Sequence, residues 1–292
     1  MSIQPQPIGI IGLGLVGSAL ADRLIENGFQ VVGFDVDQQK QAEAVRQGLQ
    51  GCGDANGVFD ICETILLSLP TSQVVKEVID QVEPALRIGH TIIDMTTGNP
   101  DEMVALGKQL QNQNVKYAEA TIAGSSSQLR KGEVVLFVAG MDRKEPGWSL
   151  VHSMLQLFGS RIFYLGEIGA ASRFKLVHNL MLGLHRAVLA EGLTFGQAMG
   201  FDASSTLEVL RQSPAWSGVM ETKGKKMVLA DYAPQARLSQ HLKDVRLIIE
   251  MASRSGTSTP LSTLHRELLE KAERLGFGDA DNSAIIEAFR KE

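Results

Sequence analysis

An apolar, strand-prone run, Ile8-Gly9-Ile10-Ile11, feeds directly into Gly12-Leu13-Gly14-Leu15-Val16-Gly17, and a helix-like pattern follows through Asn27. This order constrains the backbone closely, because each glycine has a separate task. Gly12 permits the tight strand-to-helix turn, Gly14 has no Cβ to obstruct a pyrophosphate, and Gly17 lets the helix lie against the strand. Unpaired N–H groups at the helix start, with the positive end of its dipole, then face the phosphates. Gly28 supplies a helix stop and Phe29–Phe34 reads as the second strand. Asp35 falls where a carboxylate accepts hydrogen bonds from the adenosine ribose hydroxyls. A 2′-phosphate would meet that negative charge, and the first basic residue beyond it is Lys40. The pattern therefore predicts a dinucleotide site that favours NAD, with NADP as the alternative.

With 292 residues the chain holds one large or two ordinary domains, and 44% hydrophobic against 21% charged residues is a globular composition. A net charge of −5 gives no reason to expect a nucleic-acid partner. The cluster Lys223, Lys225 and Lys226 reads as a solvated face, or as an attractor of an anionic substrate. Cys52 and Cys62 fit neither CxxC nor a zinc spacing, so we expect no metal site and a reducing compartment. Met1–Pro7 carries no leader pattern, and no apolar run reaches membrane-spanning length. The expected location is the cytoplasm, with no membrane partner.

Strand-like and helix-like segments alternate through the first half. A polar, helix-forming stretch covers Asp37–Gly48, and Thr64–Leu69 is a short apolar run suited to a strand buried on both faces. Pro70-Thr71-Ser72 ends it and caps a helix over Gln73–Val82. Further strands are predicted at Thr91–Met95, Val115–Ala120, Val134–Ala139 and Arg161–Leu165, which together argue for a doubly wound parallel sheet. From Gly166 the character changes. Ala170–Met199 has no proline and is apolar on almost every face, so a buried helix is predicted, central to a second domain and to a subunit interface. Helical periods continue over Ser204–Gln212, Trp216–Leu229, Leu238–Arg254, Pro260–Leu275 and Ala280–Arg290, with no strand signal. The fold class is thus a Rossmann-type α/β domain, residues 1–165, followed by an all-helical domain, residues 166–292.

Lys175 and Asn179 are four apart, so a helix stacks them on one face, and Ser172 lies on that face too. Phe174, Val177, Leu180 and Met181 surround this polar stripe with apolar groups. A lysine held in a cleft beside a cofactor can exchange a proton with a substrate oxygen. The competing reading is a lysine that snorkels to solvent from a buried helix; spacing alone leaves both open. His178 and His185 lack a carboxylate at a matching position and the spacing of a zinc helix, so they read as core or surface histidines.

The chain resembles the β-hydroxyacid dehydrogenase family, which includes 3-hydroxyisobutyrate dehydrogenase, tartronate semialdehyde reductase and the 6-phosphogluconate dehydrogenases. The resemblance runs nearly end to end: Gly12–Gly17, Leu69-Pro70, Asp94–Pro100, Gly166–Asn179, Lys243-Asp244 and Gly276–Ala284. It implies Lys175 as acid/base and Asn179 as the residue that orients substrate. Gly12, Leu13, Gly14, Leu15, Val16, Gly17, Asp35, Leu69, Pro70, Thr97 and Lys243 are implied along the cofactor. One motif departs. The family usually reads Asp-Ala-Pro-Val-Ser-Gly-Gly at the substrate loop, where this chain has Glu119-Ala120-Thr121-Ile122-Ala123-Gly124-Ser125. The usual serine is missing at Ala123. Either Ser125 replaces it from a different point, with Gly124 offering main chain, or the loop has drifted neutrally.

These readings predict hydride transfer between NAD(H) and a small β-hydroxy acid or semialdehyde, by a homodimer or homotetramer. An NADPH-dependent semialdehyde reductase with a non-standard substrate and a non-catalytic nucleotide-binding module are the alternatives.

Overall fold

The computed structural model describes residues 6–142, 144 and 148–290; Met1–Pro5, the start of the stretch read above for a leader, lie outside them. The chain divides between Lys175 and Leu176 into two compact units.

The first unit runs β1 (Ile8–Ile11), α1 (Leu15–Glu26), β2 (Val31–Phe34), α2 (Gln38–Arg46), β3 (Gln50–Gly51), α3 (Ala55–Ile61), β4 (Thr64–Leu67) and α4 (Ser72–Val82). It continues with β5 (Thr91–Asp94), α5 (Pro100–Asn112), β6 (Lys116–Ala123), α6 (Ser126–Arg130), β7 (Val135–Ala139), α7 (Ser149–Phe158) and β8 (Arg161–Tyr164). The strands form one sheet in the order β3-β2-β1-β4-β5-β6-β7-β8. Alternate residues feed separate cores: Ile8, Ile10 and Leu66 on one face, Ile11, Ile65 and Leu67 on the other. Side chains of Asp37, Asp54, Thr71, Asn99 and Ser125 accept backbone N–H groups at the starts of α2 to α6.

Expected to be wholly parallel, the sheet has one reversal, because β7 pairs antiparallel to β6 and β8 follows β7. A parallel return takes about a dozen or more residues. Here the five-residue α6 and its flanking turns send the chain straight back.

α8 (Ala170–Ala198) crosses the division. Its first turns belong to the first unit, beyond the boundary expected at 165. Ala171 packs with Ala123, Phe137 and Ala139, and the Phe174 ring meets Phe137 edge-on at 4.8 Å. In the second unit follow α9 (Ala203–Arg211), a π turn (Met220–Gly224) leading into α10 (Lys225–Leu229), α11 (Leu238–Arg254) and α12 (Pro260–Ala272). A second π turn (Glu273–Phe277), a 3-10 helix (Asn282–Ile286) and α13 (Glu287–Arg290) end it. No strand occurs among its described residues. Leu193, Met227, Leu242, Leu269 and Ile285 share its core.

Three expectations are corrected here. The all-apolar helix is not covered all round: Val177, Met181, Val188 and Phe195 of α8 are exposed. The helix predicted over Ala280–Arg290 is 3-10 at its start, where Asp281 accepts the Ser283 N–H and hydroxyl. Lys223 is not part of a solvated face. It is buried and donates to both Asp281 oxygens at 2.8 Å, while Lys225 is exposed. Among the described residues no helix is long and apolar enough to cross a membrane.

Candidate active site

In the first unit the connections reverse direction between β1 and β4, which opens a crevice at the carboxyl ends of those strands. Gly12 lies there at φ +91°, and a Cβ on it would stand 2.3 Å from the Ser68 carbonyl oxygen, so only hydrogen fits. Gly14 begins α1, no side chain caps that helix, and no atom lies within 4 Å of where its Cβ would be. Such an open cradle over uncapped N–H groups is what a pyrophosphate requires. At the end of β2 the Asp35 carboxylate accepts the Leu13 N–H at 2.7 Å on one oxygen and the Asp37 N–H at 2.8 Å on the other. Each oxygen keeps a lone pair for a ribose hydroxyl. Leu69 lies beside Gly12, and its N–H donates to the Thr96 hydroxyl at 3.1 Å. Next to Thr97, Gly98 backs onto Ser72, whose hydroxyl accepts the Asn99 N–H. The residues assigned to the cofactor in this unit, Gly12–Gly17, Asp35, Leu69, Pro70 and Thr97, therefore sit at or just beyond the carboxyl ends of β2, β1, β4 and β5. They fit a bound dinucleotide.

β6 ends at the same edge, and it grips the start of α8. The Glu119 carboxylate accepts the Gly169 N–H and the Ser172 hydroxyl. Burial raises its pKa, and the Ser172 and Gly169 hydrogen bonds oppose that shift. Three residues further along β6, the Ile122 carbonyl accepts from Lys175 Nζ at 2.6 Å. Lys175 is only 7% exposed. Its ammonium is buried and hydrogen-bonded, so the snorkelling alternative is overturned. The nitrogen sits one residue from Ala123 and next to the turn that leads through Gly124 to Ser125.

In the second unit Asn179 is buried, and its amide donates to Asp244 Oδ2 at 2.8 Å. Lys243 Nζ pairs with Asp244 Oδ1 at 2.8 Å. Asp244 thus links two residues singled out in the sequence. His178 Nδ1 lies 3.2 Å from Asn179 Oδ1, and His185 is exposed. Among the described residues no group of three or more His, Cys, Asp or Glu could hold a metal ion.

Glu119, Asp94, Tyr117 and Asp244 received no role from the sequence. Tyr117 donates to Asp94 Oδ2 at 2.9 Å, and burial lifts the Asp94 carboxyl to about 6. A signal was present: acids inside strands otherwise read as apolar need partners, because a sheet covered on both faces offers no water.

Residues 7–166 match the family model described as the NAD binding domain of 6-phosphogluconate dehydrogenase. Residues 169–289 match the one described as NAD-binding of NADP-dependent 3-hydroxyisobutyrate dehydrogenase. The chain is 28% identical to 2-(hydroxymethyl)glutarate dehydrogenase of Eubacterium barkeri, over 97% of this chain and 95% of the other. It is 27% identical to glyoxylate/succinic semialdehyde reductase 1 of Arabidopsis thaliana, over 97% and 98%. The solved 3-hydroxyisobutyrate dehydrogenase from Salmonella typhimurium superposes with a TM-score of 0.86 at 22% identity, covering 96% of this chain and 98% of that one. A glycine turn at the sheet's switch point, a buried lysine at the end of β6 and two family matches spanning nearly the whole length lead to one assignment: the chain belongs to the NAD(P)-dependent β-hydroxyacid dehydrogenase family.

Proposed function

We propose that this protein moves a hydride between NAD and a small β-hydroxy acid or the corresponding semialdehyde, with Lys175 as the acid/base. The observation that carries this is the Lys175 ammonium, buried and held by Ile122 at the strand edge that also bears the glycine turn. When bound, the nicotinamide supplies or accepts the hydride. Lys175 takes the hydroxyl proton as the alcohol is oxidised and returns one in reduction. Asn179, fixed by Asp244, is assigned to orienting substrate, Lys243 to the cofactor, and Ala123, Gly124 and Ser125 to the substrate loop. Residues 1–165 are the cofactor domain, and 166–292 serve substrate binding and subunit association.

NAD is favoured on the Asp35 carboxylate; NADP(H) binding as tightly as NAD(H) would defeat that argument. Homodimers or homotetramers are supported by the exposed stripe Val177, Met181, Val188 and Phe195, and light scattering measures them directly. Val188 also lines an apolar cavity of about 400 Å³ with Trp216 and Met220. The free thiols of Cys52 and Cys62 support a cytoplasmic setting.

The test is NADH formation across short β-hydroxy acids by wild type and Lys175→Ala, with NADH binding followed by fluorescence. Activity that falls about 100- to 10,000-fold in the variant, with binding intact, is expected; activity retained within about 10-fold refutes the role. The reading of a semialdehyde reductase with a non-standard substrate gains from one observation: Ser125 does not present a free hydroxyl, since it bonds twice to Gln128.

A further inference from the structure

We propose that Gln41 is a positioning residue for the cofactor: its amide fixes the main chain of Asp35 and so aims the Asp35 carboxylate at the adenosine ribose. This rests on Asp35 being the ribose acceptor. In the register of β2 and β3, Gly33 faces Gly51, and the Cys52 N–H donates to the Gly33 carbonyl at 2.9 Å. The next rung of a parallel ladder would run from the Asp35 N–H to the Cys52 carbonyl. Gln41 takes that rung instead. The Asp35 N–H donates to Gln41 Oε1 at 3.2 Å, and Gln41 Nε2 donates to the Cys52 carbonyl at 2.8 Å. A side-chain amide, with a donor and an acceptor like those of a peptide, is inserted between the strands where β2 ends.

The Asp35 oxygens already accept the Leu13 and Asp37 N–H groups, and a ribose hydroxyl needs the lone pairs that remain. Gln41 restrains the residue through its N–H and takes none of them. Little else holds this corner. Val36 and Asp37 are exposed, and of α2 only Ala44 is buried. The preceding polar side chains of α2 are engaged locally, Gln39 with Glu43 and Lys40 with Asp37. The Gln41 stem packs over Gly51, where a Cβ would meet its Nε2 at 3.4 Å and its Cγ at 3.8 Å. An aspartate tied at its main chain keeps the direction of its carboxylate while the oxygens exchange water for ribose. Less order then has to be imposed when the cofactor binds.

The experiment titrates the full-length protein with NADH and with its 2′-deoxyadenosine analogue, both read by nicotinamide fluorescence. Wild type should bind NADH at least about 10-fold more tightly, the effect of one hydrogen bond to a charged group. Asp35→Ala should erase that preference. Gln41→Met keeps a stem to lie over Gly51 and removes only the amide, which guards against loss of fold. In it the preference should shrink to about 2-fold, because a hydroxyl–carboxylate bond weakens steeply once misaligned, and Gln41→Ala should behave alike. A preference kept in Gln41→Met, or an equal loss of both ligands, overturns the inference and leaves Asp35 as the acceptor. A wild type blind to the 2′-hydroxyl, or an Asp35→Ala variant that keeps the preference, refutes the reading of Asp35 and the inference with it.

Discussion

Gly14 and Gly17 stand three residues apart in one turn, yet replacing each by alanine should damage different properties. A Cβ on Gly17 would lie 1.8 Å from the Gly12 carbonyl oxygen, where real Cβ contacts under 3.0 Å are essentially never found. The obstacle is backbone, so no side chain can swing aside. α1 would have to withdraw, pulling Leu20 and Leu24 from the core they fill. Overpacking of this kind costs about 1–3 kcal/mol, and the better helix propensity of alanine returns up to about 1 kcal/mol. At about 2–4 °C per kcal/mol for a unit of this size, the net loss of up to about 3 kcal/mol should lower the melting temperature of Gly17→Ala by up to roughly 12 °C. Gly14→Ala meets no atom within 4 Å and sits at φ −68°, so it carries only the weaker N-cap preference of alanine, and its melting temperature should fall by no more than about 4 °C. Its methyl instead fills the cradle the pyrophosphate needs. Losing a charged hydrogen bond to the α1 N–H groups, worth about 1.5–3 kcal/mol, weakens NADH binding about 10- to 150-fold. Scanning calorimetry and NADH fluorescence titration on both variants provide the check. Wild-type NADH affinity in Gly14→Ala, or equal melting losses in the pair, refutes the division of labour.

Two further outcomes concern the buried acids. The folded-state Asp94 carboxyl is raised to about 6 by burial, against an ordinary 3.8, so its contribution to stability is greatest below about pH 4 and is lost as pH rises toward 6. Urea unfolding of wild type and Asp94→Asn across that range should show the wild type losing up to about 3 kcal/mol relative to the variant; parallel curves would contradict the assignment. Glu119→Ala orphans the Gly169 N–H and the Ser172 hydroxyl at the start of α8 and should destabilise the first unit by about 2–4 kcal/mol. Thermal melts of that variant that match wild type would show that β6 does not hold α8 in this way.

The sheet was legible because its strands are short apolar runs set between recognisable turns, and the Gly12–Gly17 turn, a helix cap within Pro70–Ser72 and the long α8 follow from local chemistry. What escaped depends on distant partners. Lys223 reads as one of three surface lysines until the fold delivers Asp281 to it. Nothing in Val134–Ala139 reveals strand direction, which is decided by how little chain α6 provides for a crossover. The apolar composition of α8 does not say which residues remain uncovered. Lys175 was ambiguous for the same reason, since only the position of the Ile122 carbonyl distinguishes a buried ammonium from a snorkelling one. Ser125 looked like a replacement hydroxyl, and Gln128, three residues on, occupies it.

The knot of bonds at Asp281 bears on vectorial synthesis. Its carboxylate receives Lys223, the Gln235 and Ala236 N–H groups and Ser283, and the residues after it bring Ala284, Ile285, Ile286 and Ala288 into the core of the second unit. Asp281 and the core residues after it are translated after α8 to α12, whereas every element of the first unit is already made by Lys175. On the ribosome the sheet has its full set of partners while the helical unit still exposes an unclosed core with Lys223 lacking its counterion. The first unit's chain is therefore complete for the translation of more than a hundred residues before Asp281 arrives to close the second unit's core.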